Sequence, residues 1–254
     1  MCDILFTHQN IKRKNLKYYE LICTAYLKRD ITFKDSFEKI AKYISYSMAQ
    51  IEKFEKLHNQ NSFKHYTFSN FTPIQKDKVY KKGNNYQFKI RSLDEEFIDR
   101  LEQTLRENIN NPNFLVVIAS KKIVKQFFIN ELYSITPVIT SVENGKFWTL
   151  QQDGDIVKLY NQLHSNLDRK YQAFYGKKLQ SSENFIKLLE LKNQKPQTIW
   201  TSKNGKSFRF FGNKFKIVPH EDEISQKLAF IALACGLGEK NSFGGGFCVA
   251  KGLQ

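Results

Sequence analysis

"YYELICTAYL", Tyr18–Leu27, puts Tyr19, Leu21, Cys23, Ala25 and Leu27 at alternate positions. Period-two alternation is the pattern of a strand with one face in a core, so this stretch is read as a half-buried strand. Downstream the period changes, and Phe37, Ile40, Ala41, Ile44 and Met48 recur on one stripe of a helix. "FKHYTFSNF" (Phe63–Phe71) returns to alternation and reads as a strand. "KVYKKGNNYQFKIRSL" carries Gly-Asn-Asn between two short apolar runs, a hairpin signal. Ser92 and Glu95 follow as an S-x-x-E capping box ahead of Leu93, Phe97, Leu101 and Leu105. "NFLVVIAS" (Asn113–Ser120) then closes the half as a buried strand. Strand, helix, strand or hairpin, helix, strand is the ferredoxin-like order.

The second half rhymes with the first. Strands are expected near Pro137–Ser141 and Phe147–Leu150, before a helix carrying Ile156, Leu159, Leu163 and Leu167. Apolar runs at Phe185–Leu189 and Ile199–Trp200 and a hairpin-like "SFRFFGNKFKIV" come next. A helix with Ile224, Leu228, Ile231, Ala232 and Cys235 leads to "FCVA" as a final strand. The expected fold class is α+β, as two tandem ferredoxin-like (βαββαβ, RRM-like) domains over 1–125 and 126–254, joined near Gln126–Thr136. Residues 1–16 have no clear place in it.

The chain has 254 residues, 41% of them hydrophobic, enough for packed cores of this size. Its net charge of +15 draws polyanions, which makes nucleic acid or an acidic membrane surface the leading partner class. The charge is uneven. Residues 169–216 hold twelve Lys/Arg against two acids, a local excess of +10. Four cysteines (Cys2, Cys23, Cys235 and Cys248) and five histidines show neither metal-ligand spacing nor a disulfide framework. No metal and no cofactor are expected. The opening "MCDILFTHQN" is not a signal peptide, and "LAFIALACGLG" is too short to span a bilayer. A reduced, cytoplasmic protein without a membrane partner is expected.

"GLGEKNSFGGGFC" (Gly236–Cys248) uses five of the chain's twelve glycines. Gly236 falls where the last helix runs out, as a left-handed C′ residue would. Gly244, Gly245 and Gly246 lead into the last strand. A phosphate-binding fingerprint runs from strand to helix, the reverse of this order, and no G-K-[ST] appears. Two readings stay open: a helix cap plus a bend with close backbone approach, or a nest of bare N–H groups suited to phosphates.

This stretch resembles the glycine-rich loop of the CRISPR-associated repeat-RNA endoribonucleases, the sixth Cas family. Its pattern G-x-G-x-x-x-x-x-G-x-G is matched by Gly236, Gly238, Gly244 and Gly246. "LHNQNSFKHYTFSNF" resembles the family's Leu-His segment with its aromatic-Thr-aromatic-Ser strand, while residues 120–215 match only in outline. The family's tandem ferredoxin-like fold agrees with the order read above.

Histidine carries protons near neutral pH, and a fixed ammonium steadies charge on a phosphate oxygen. His58, at a helix-to-strand junction with Lys64 six residues on, offers both tools for RNA cleavage by the RNA's own 2′-hydroxyl. The resemblance implies His58 as the catalytic histidine and Lys64 as the transition-state lysine. It also implies a tyrosine about fifteen residues before the histidine. Tyr43 has that spacing, Tyr46 points more directly away from the apolar stripe, and the choice stays open. His65 faces the opposite side from Lys64 and is read as non-catalytic.

The implied function is cleavage of precursor CRISPR RNA within repeats, without metal, leaving a 2′,3′-cyclic phosphate and a 5′-hydroxyl. Precursor CRISPR RNA is the expected partner, with other Cas proteins of an effector complex beyond it. RNA-binding residues are expected at Gly236, Gly238, Lys240, Gly244, Gly245 and Gly246, where glycines let backbone N–H groups approach. Lys203, Lys206, Arg209, Lys214 and Lys216 are expected to supply charge, and Tyr66, Phe68 and Trp200 are candidates for base stacking, with a place in the core the stronger reading for each. An inactive repeat-RNA binder and a general RRM-type RNA-binding protein are the alternatives. The latter lacks its RNP consensus here.

Overall fold

The computed structural model describes residues 16–54, 63–180, 183–203 and 205–253. His58 and residues 1–15 lie outside them. In the first half, β1 (Lys17–Leu27) leads through β2 (Ile31–Thr32) into helix α1 (Phe33–Ala49), whose N-terminus is capped by the Thr32 side chain. Next come β3 (Tyr66–Phe68), β4 (Val79–Tyr80), β5 (Asn85–Ser92), helix α2 (Glu95–Glu107) and β6 (Phe114–Lys125). The sheet order is β3-β5-β1-β6 with every pair antiparallel. The alternating side of β1 and the stripe of α1 meet in one core with Phe97, Leu101 and Leu105 of α2.

Three local expectations change. The capping box gives way to Asp94, whose carboxylate accepts from Phe97 N, while the Ser92 hydroxyl accepts from Asp94 N at 3.1 Å and donates to His65 O. The Gly-Asn-Asn hairpin does not form as a ladder. β4 pairs with β2, and the turn is tied instead to the end of β1 by Gly83 N to Leu27 O at 2.8 Å. β6 is an edge strand rather than a buried one: Phe114 and Val116 are covered, but Ile118 is 56% exposed.

The second half runs β7 (Phe128–Ser134), α3 (Ile156–Tyr175), β8 (Ile186–Leu191), β9 (Gln197–Lys203), β10 (Lys206–Gly212), β11 (Phe215–Pro219), α4 (Glu223–Cys235) and β12 (Cys248–Leu253). Its sheet order, β12-β7-β11-β8, repeats that of the first half. The stretch expected to be a connector near Gln126–Thr136 is therefore a central strand. Pro137–Ser141 and Phe147 make only isolated bridges, the proline having no N–H to give a ladder. "SFRFFGNKFKIV" is not a hairpin either. Its first part, β10, pairs with β9 as a separate two-stranded ribbon inserted between β8 and β11.

Helix α4 is buried nearly all round, from Leu228 to Cys235. A helix apolar on every side belongs inside a protein. One side carries the second sheet. The other meets the open face of the first, where Phe230 lies 5.2 Å from Tyr18. Arg91 of β5 bolts this contact. It bonds Glu20 Oε2 at 2.5 Å and donates to Cys248 O at 2.6 Å and Leu233 O at 3.3 Å. Among the described residues, no helix is long and apolar enough to cross a membrane.

Candidate functional site

The chain enters β3 through Phe63, Lys64 and His65. His65 has a left-handed backbone (φ 49°), and its carbonyl is held from two sides, by Ser92 Oγ at 2.9 Å and Cys235 Sγ at 3.3 Å. Its ring stands edge-on to Phe174 of α3 at 5.3 Å. Burial, helped by the nearby Lys170 charge, pushes its pKa down to about 4. A neutral imidazole is thus built in.

The glycine-rich stretch packs beside this entry. Gly236 closes α4 with φ 83° and ψ 152°, a positive-φ conformation that favours glycine but whose ψ is not that of the left-handed cap expected, and a Cβ there would stand 3.0 Å from Thr67 Oγ1 of β3. At Gly244 a Cβ would press on the Phe37 ring at 2.5 Å, and at Gly246 on Leu237 O at 1.8 Å. The amides of Leu237, Glu239, Phe243, Gly244, Gly245 and Gly246 all donate to carbonyls of the protein. All five glycines are buried. These amides are turned to the protein, which favours the tight bend of the two open readings, and the half-buried crest of the loop is Glu239, Lys240, Ser242 and Phe243.

Under the bend lies Lys170 of α3, only 3% exposed. Its ammonium donates to Gly236 O at 2.7 Å, Gly238 O at 2.7 Å and Asn241 Oδ1 at 2.8 Å. The Asn241 amide group in turn donates to Leu237 O at 3.3 Å and Gly245 O at 2.9 Å. Lys170 therefore leaves the solvated basic surface to which its sequence neighbours belong. The readable signal was its place seven residues after Leu163, on the apolar stripe of α3.

The β9–β10 ribbon leans on the crest, with the Phe210 ring 5.4 Å from Phe243. Its other face is cationic and aromatic. Trp200 lies under Lys34 Nζ at 4.0 Å, and Arg209 stands 5.5 Å from Trp200 and 4.9 Å from Phe211.

Residues 118–249, over half of the chain, match the family model for CRISPR associated protein Cas6, C-terminal. The chain belongs to the Cas6 family. It is 27% identical over 237 residues to the CRISPR-associated endoribonuclease Cas6 2 of Methanocaldococcus jannaschii, covering 87% of this chain and 97% of that protein. With the same organism's CRISPR-associated endoribonuclease Cas6 1 the identity is 30% over 209 residues, 77% of each. A solved structure described as CRISPR associated protein Cas6 superposes with a TM-score of 0.67 at 26% identity, over 92% of this chain and 99% of that one. The tandem ferredoxin-like fold is the fold of this Cas6 chain.

The two tyrosines part company. Tyr43 is fully buried and stacked on Phe114 at 4.4 Å. Its hydroxyl meets Leu105 O at 2.8 Å and accepts from Val116 N at 3.1 Å, and burial pushes its pKa up to about 12. That removes Tyr43 from the catalytic candidates, because the helix spacing that singles it out also points it into the core. Tyr46, one turn on, is 55% exposed on α1. Lys64 is half-buried two residues before β3. Tyr66 and Phe68 are core residues and cannot stack on bases.

The basic candidates also separate. Lys206 and Arg209 are exposed on the ribbon, and the side chain of Lys203 lies outside the described residues. Lys214 is half-buried, and burial together with Lys78 holds its pKa below the usual lysine range. Lys216 pairs with Glu131 on the second sheet.

His65 gives the fold an acid limit. A folded-state pKa of about 4, below the ordinary 6.5, means that the unfolded chain takes up the proton first. The stability due to the neutral ring is intact above pH 6.5 and is lost as pH falls toward 4. With its partial exposure allowed for, roughly 2 kcal/mol is at stake. Urea unfolding at pH 6.5 and pH 4 should show that His65→Asn, which tolerates the left-handed backbone, loses about that much less than the natural chain. Equal losses would refute the assignment.

Proposed function

We propose that this Cas6-family chain cuts precursor CRISPR RNA within its repeats, without metal, in the cytoplasm, and passes the guide RNA to other Cas proteins. The observation that carries the reading is a convergence. The Lys64–His65 entry to β3 and the glycine-rich stretch, far apart in sequence, are tied by Cys235 Sγ to His65 O at 3.3 Å, with Gly236 packed against Thr67. The two M. jannaschii relatives, both CRISPR-associated endoribonucleases, support it.

In this reaction the 2′-oxygen attacks the adjacent phosphorus, the bond to the 5′-oxygen breaks, and a 2′,3′-cyclic phosphate and a 5′-hydroxyl remain. One proton leaves the 2′-oxygen and one reaches the 5′-oxygen. His58 moves protons, Lys64 steadies charge on the phosphate oxygens, and the exposed Tyr46 is the tyrosine that RNA could reach. Lys206, Arg209, Trp200 and Lys34 form the face for phosphates and unpaired bases, with Lys240 at the crest of the loop. An RRM-type reading is disfavoured, because α4 covers the first sheet where Tyr18 and Arg91 lie.

The test is incubation with RNA carrying the repeat of a CRISPR array adjoining the coding gene, with and without EDTA. One cut per repeat, ending in a cyclic phosphate (or its opened form) and a 5′-hydroxyl, at the same rate in EDTA, is expected. Binding without a cut would leave an inactive binder, and loss of cutting in EDTA would overturn the mechanism.

A further inference from the structure

The buried ammonium under the glycine-rich bend is not used by the chemistry above. Lys170 reaches the bend from α3 and gives all three of its protons to the bend itself: Gly236 O, Gly238 O and Asn241 Oδ1. A lysine head radiates three donors from one atom, and here three acceptors converge on it. Asn241 extends the knot, since its amide group holds Leu237 O and Gly245 O. Both limbs of the bend are thereby pulled inward onto one charged point.

What the knot leaves outside is the crest. Lys240 is held with a left-handed backbone (φ 57°) at the start of the short 3₁₀ turn Asn241–Phe243. Phe243 presents its ring to Phe208 at 6.5 Å and to Phe210 at 5.4 Å, so the crest is also the seat of the basic ribbon. The ribbon's opposite face carries Trp200 and Arg209.

We propose that Lys170 is the positioning residue of the RNA-binding face: it fixes the glycine-rich bend, and through Phe243 the height and tilt of the β9–β10 ribbon, without itself touching RNA. The proposal rests on the reading that this face meets repeat RNA. A structural filler would need only volume at this place. A positioning residue needs its donors, because the carbonyls of Gly236 and Gly238, left unpaired in the interior, would turn outward toward water and carry the bend with them.

The experiment compares the natural chain with Lys170→Met, which keeps length and apolar volume but has no donor. Three buried acceptors then lack a donor, which lowers stability, so the melting temperature of the variant is measured first and every comparison is made well below it. Amide hydrogen exchange without RNA should rise at least tenfold over residues 237–247, with β1 unchanged. In single-turnover cutting of repeat RNA, the half-saturating protein concentration should rise about 10- to 100-fold, while the saturated rate stays within about threefold. Should Lys170→Met not fold, Lys170→Gln, with two donors, is measured in the same way.

Unchanged exchange over the bend overturns the proposal and leaves the function standing. Faster exchange with unchanged half-saturation also overturns it, and takes with it the placement of RNA on this face. A fall in the saturated rate alone, with half-saturation unchanged, assigns Lys170 to the chemistry instead and overturns a positioning role.

Discussion

His58→Ala slows single-turnover cutting of repeat RNA by ~10²–10⁴-fold, the usual contribution of a positioned proton-transfer group. That corresponds to about 3–5 kcal/mol of transition-state stabilisation. Affinity for the repeat stays within about threefold, because phosphate contacts dominate such interfaces and one neutral ring adds little to them. Lys64→Ala slows the reaction as well and also weakens binding, since it removes a positive charge. His65 sharpens the test. Held near pKa 4, it is neutral throughout the pH range in which an ordinary histidine titrates. On this mechanism the rate titrates between about pH 5 and 8, the range of an ordinary histidine, and not near 4. Cutting by His58→Ala at the natural rate would end this mechanism.

Gly246→Ala lowers the melting temperature by about 10 °C. A Cβ there stands 1.8 Å from Leu237 O and 2.8 Å from its carbonyl carbon, in a backbone with φ 65°. Leu237 N donates to Gly246 O across the same gap at 2.8 Å, so relieving the clash breaks the bond that closes the bend. Strain and overpacking together cost roughly 3–5 kcal/mol, and each kcal/mol is worth about 2–4 °C in a chain of this size. Gly83→Ala is the control. Its φ of 80° is as demanding, but nothing lies within 4 Å of the added atom, so only the conformational part remains, about 1–2 kcal/mol. Equal drops for the two variants would show that close approach is not what the bend requires.

Strand β1 and helix α1 were legible because each turns one face to a core, and a single apolar face leaves a clean period. Elements with other surroundings misled. β7 is the central strand of its sheet, yet Asn130 and Glu131 interrupt its apolar run, since its outer side meets Lys216 and Lys251 rather than a helix. α4 was read as one stripe, although "LAFIALAC" is apolar at nearly every position, the mark of a helix covered by two sheets. β10 and β11 run on in sequence and look like a hairpin, but pairing partners are chosen across the fold and not along the chain. The same limit governs the site. The glycine pattern located the bend, while its role as a closely packed bend depended on Phe37, Thr67 and Leu237. Tyr43 shows the reverse hazard, where correct spacing falls on the wrong side of a helix.

The two cores are completed crosswise. Ile139, Ile199 and Phe210 of the second half pack into the first core, and Leu16, Tyr18 and Leu93 of the first half pack into the second. During synthesis, the first ferredoxin-like unit leaves the ribosome with gaps in its interior that Ile139 and the inserted ribbon fill later. It must wait, partly closed, until residues beyond 210 have emerged. Contacts so distant in sequence slow folding and leave apolar surface open to chaperones or aggregation in the interval. Once shut, the halves cannot melt separately without each exposing the other's interior. The enzyme should therefore unfold in one cooperative step rather than two.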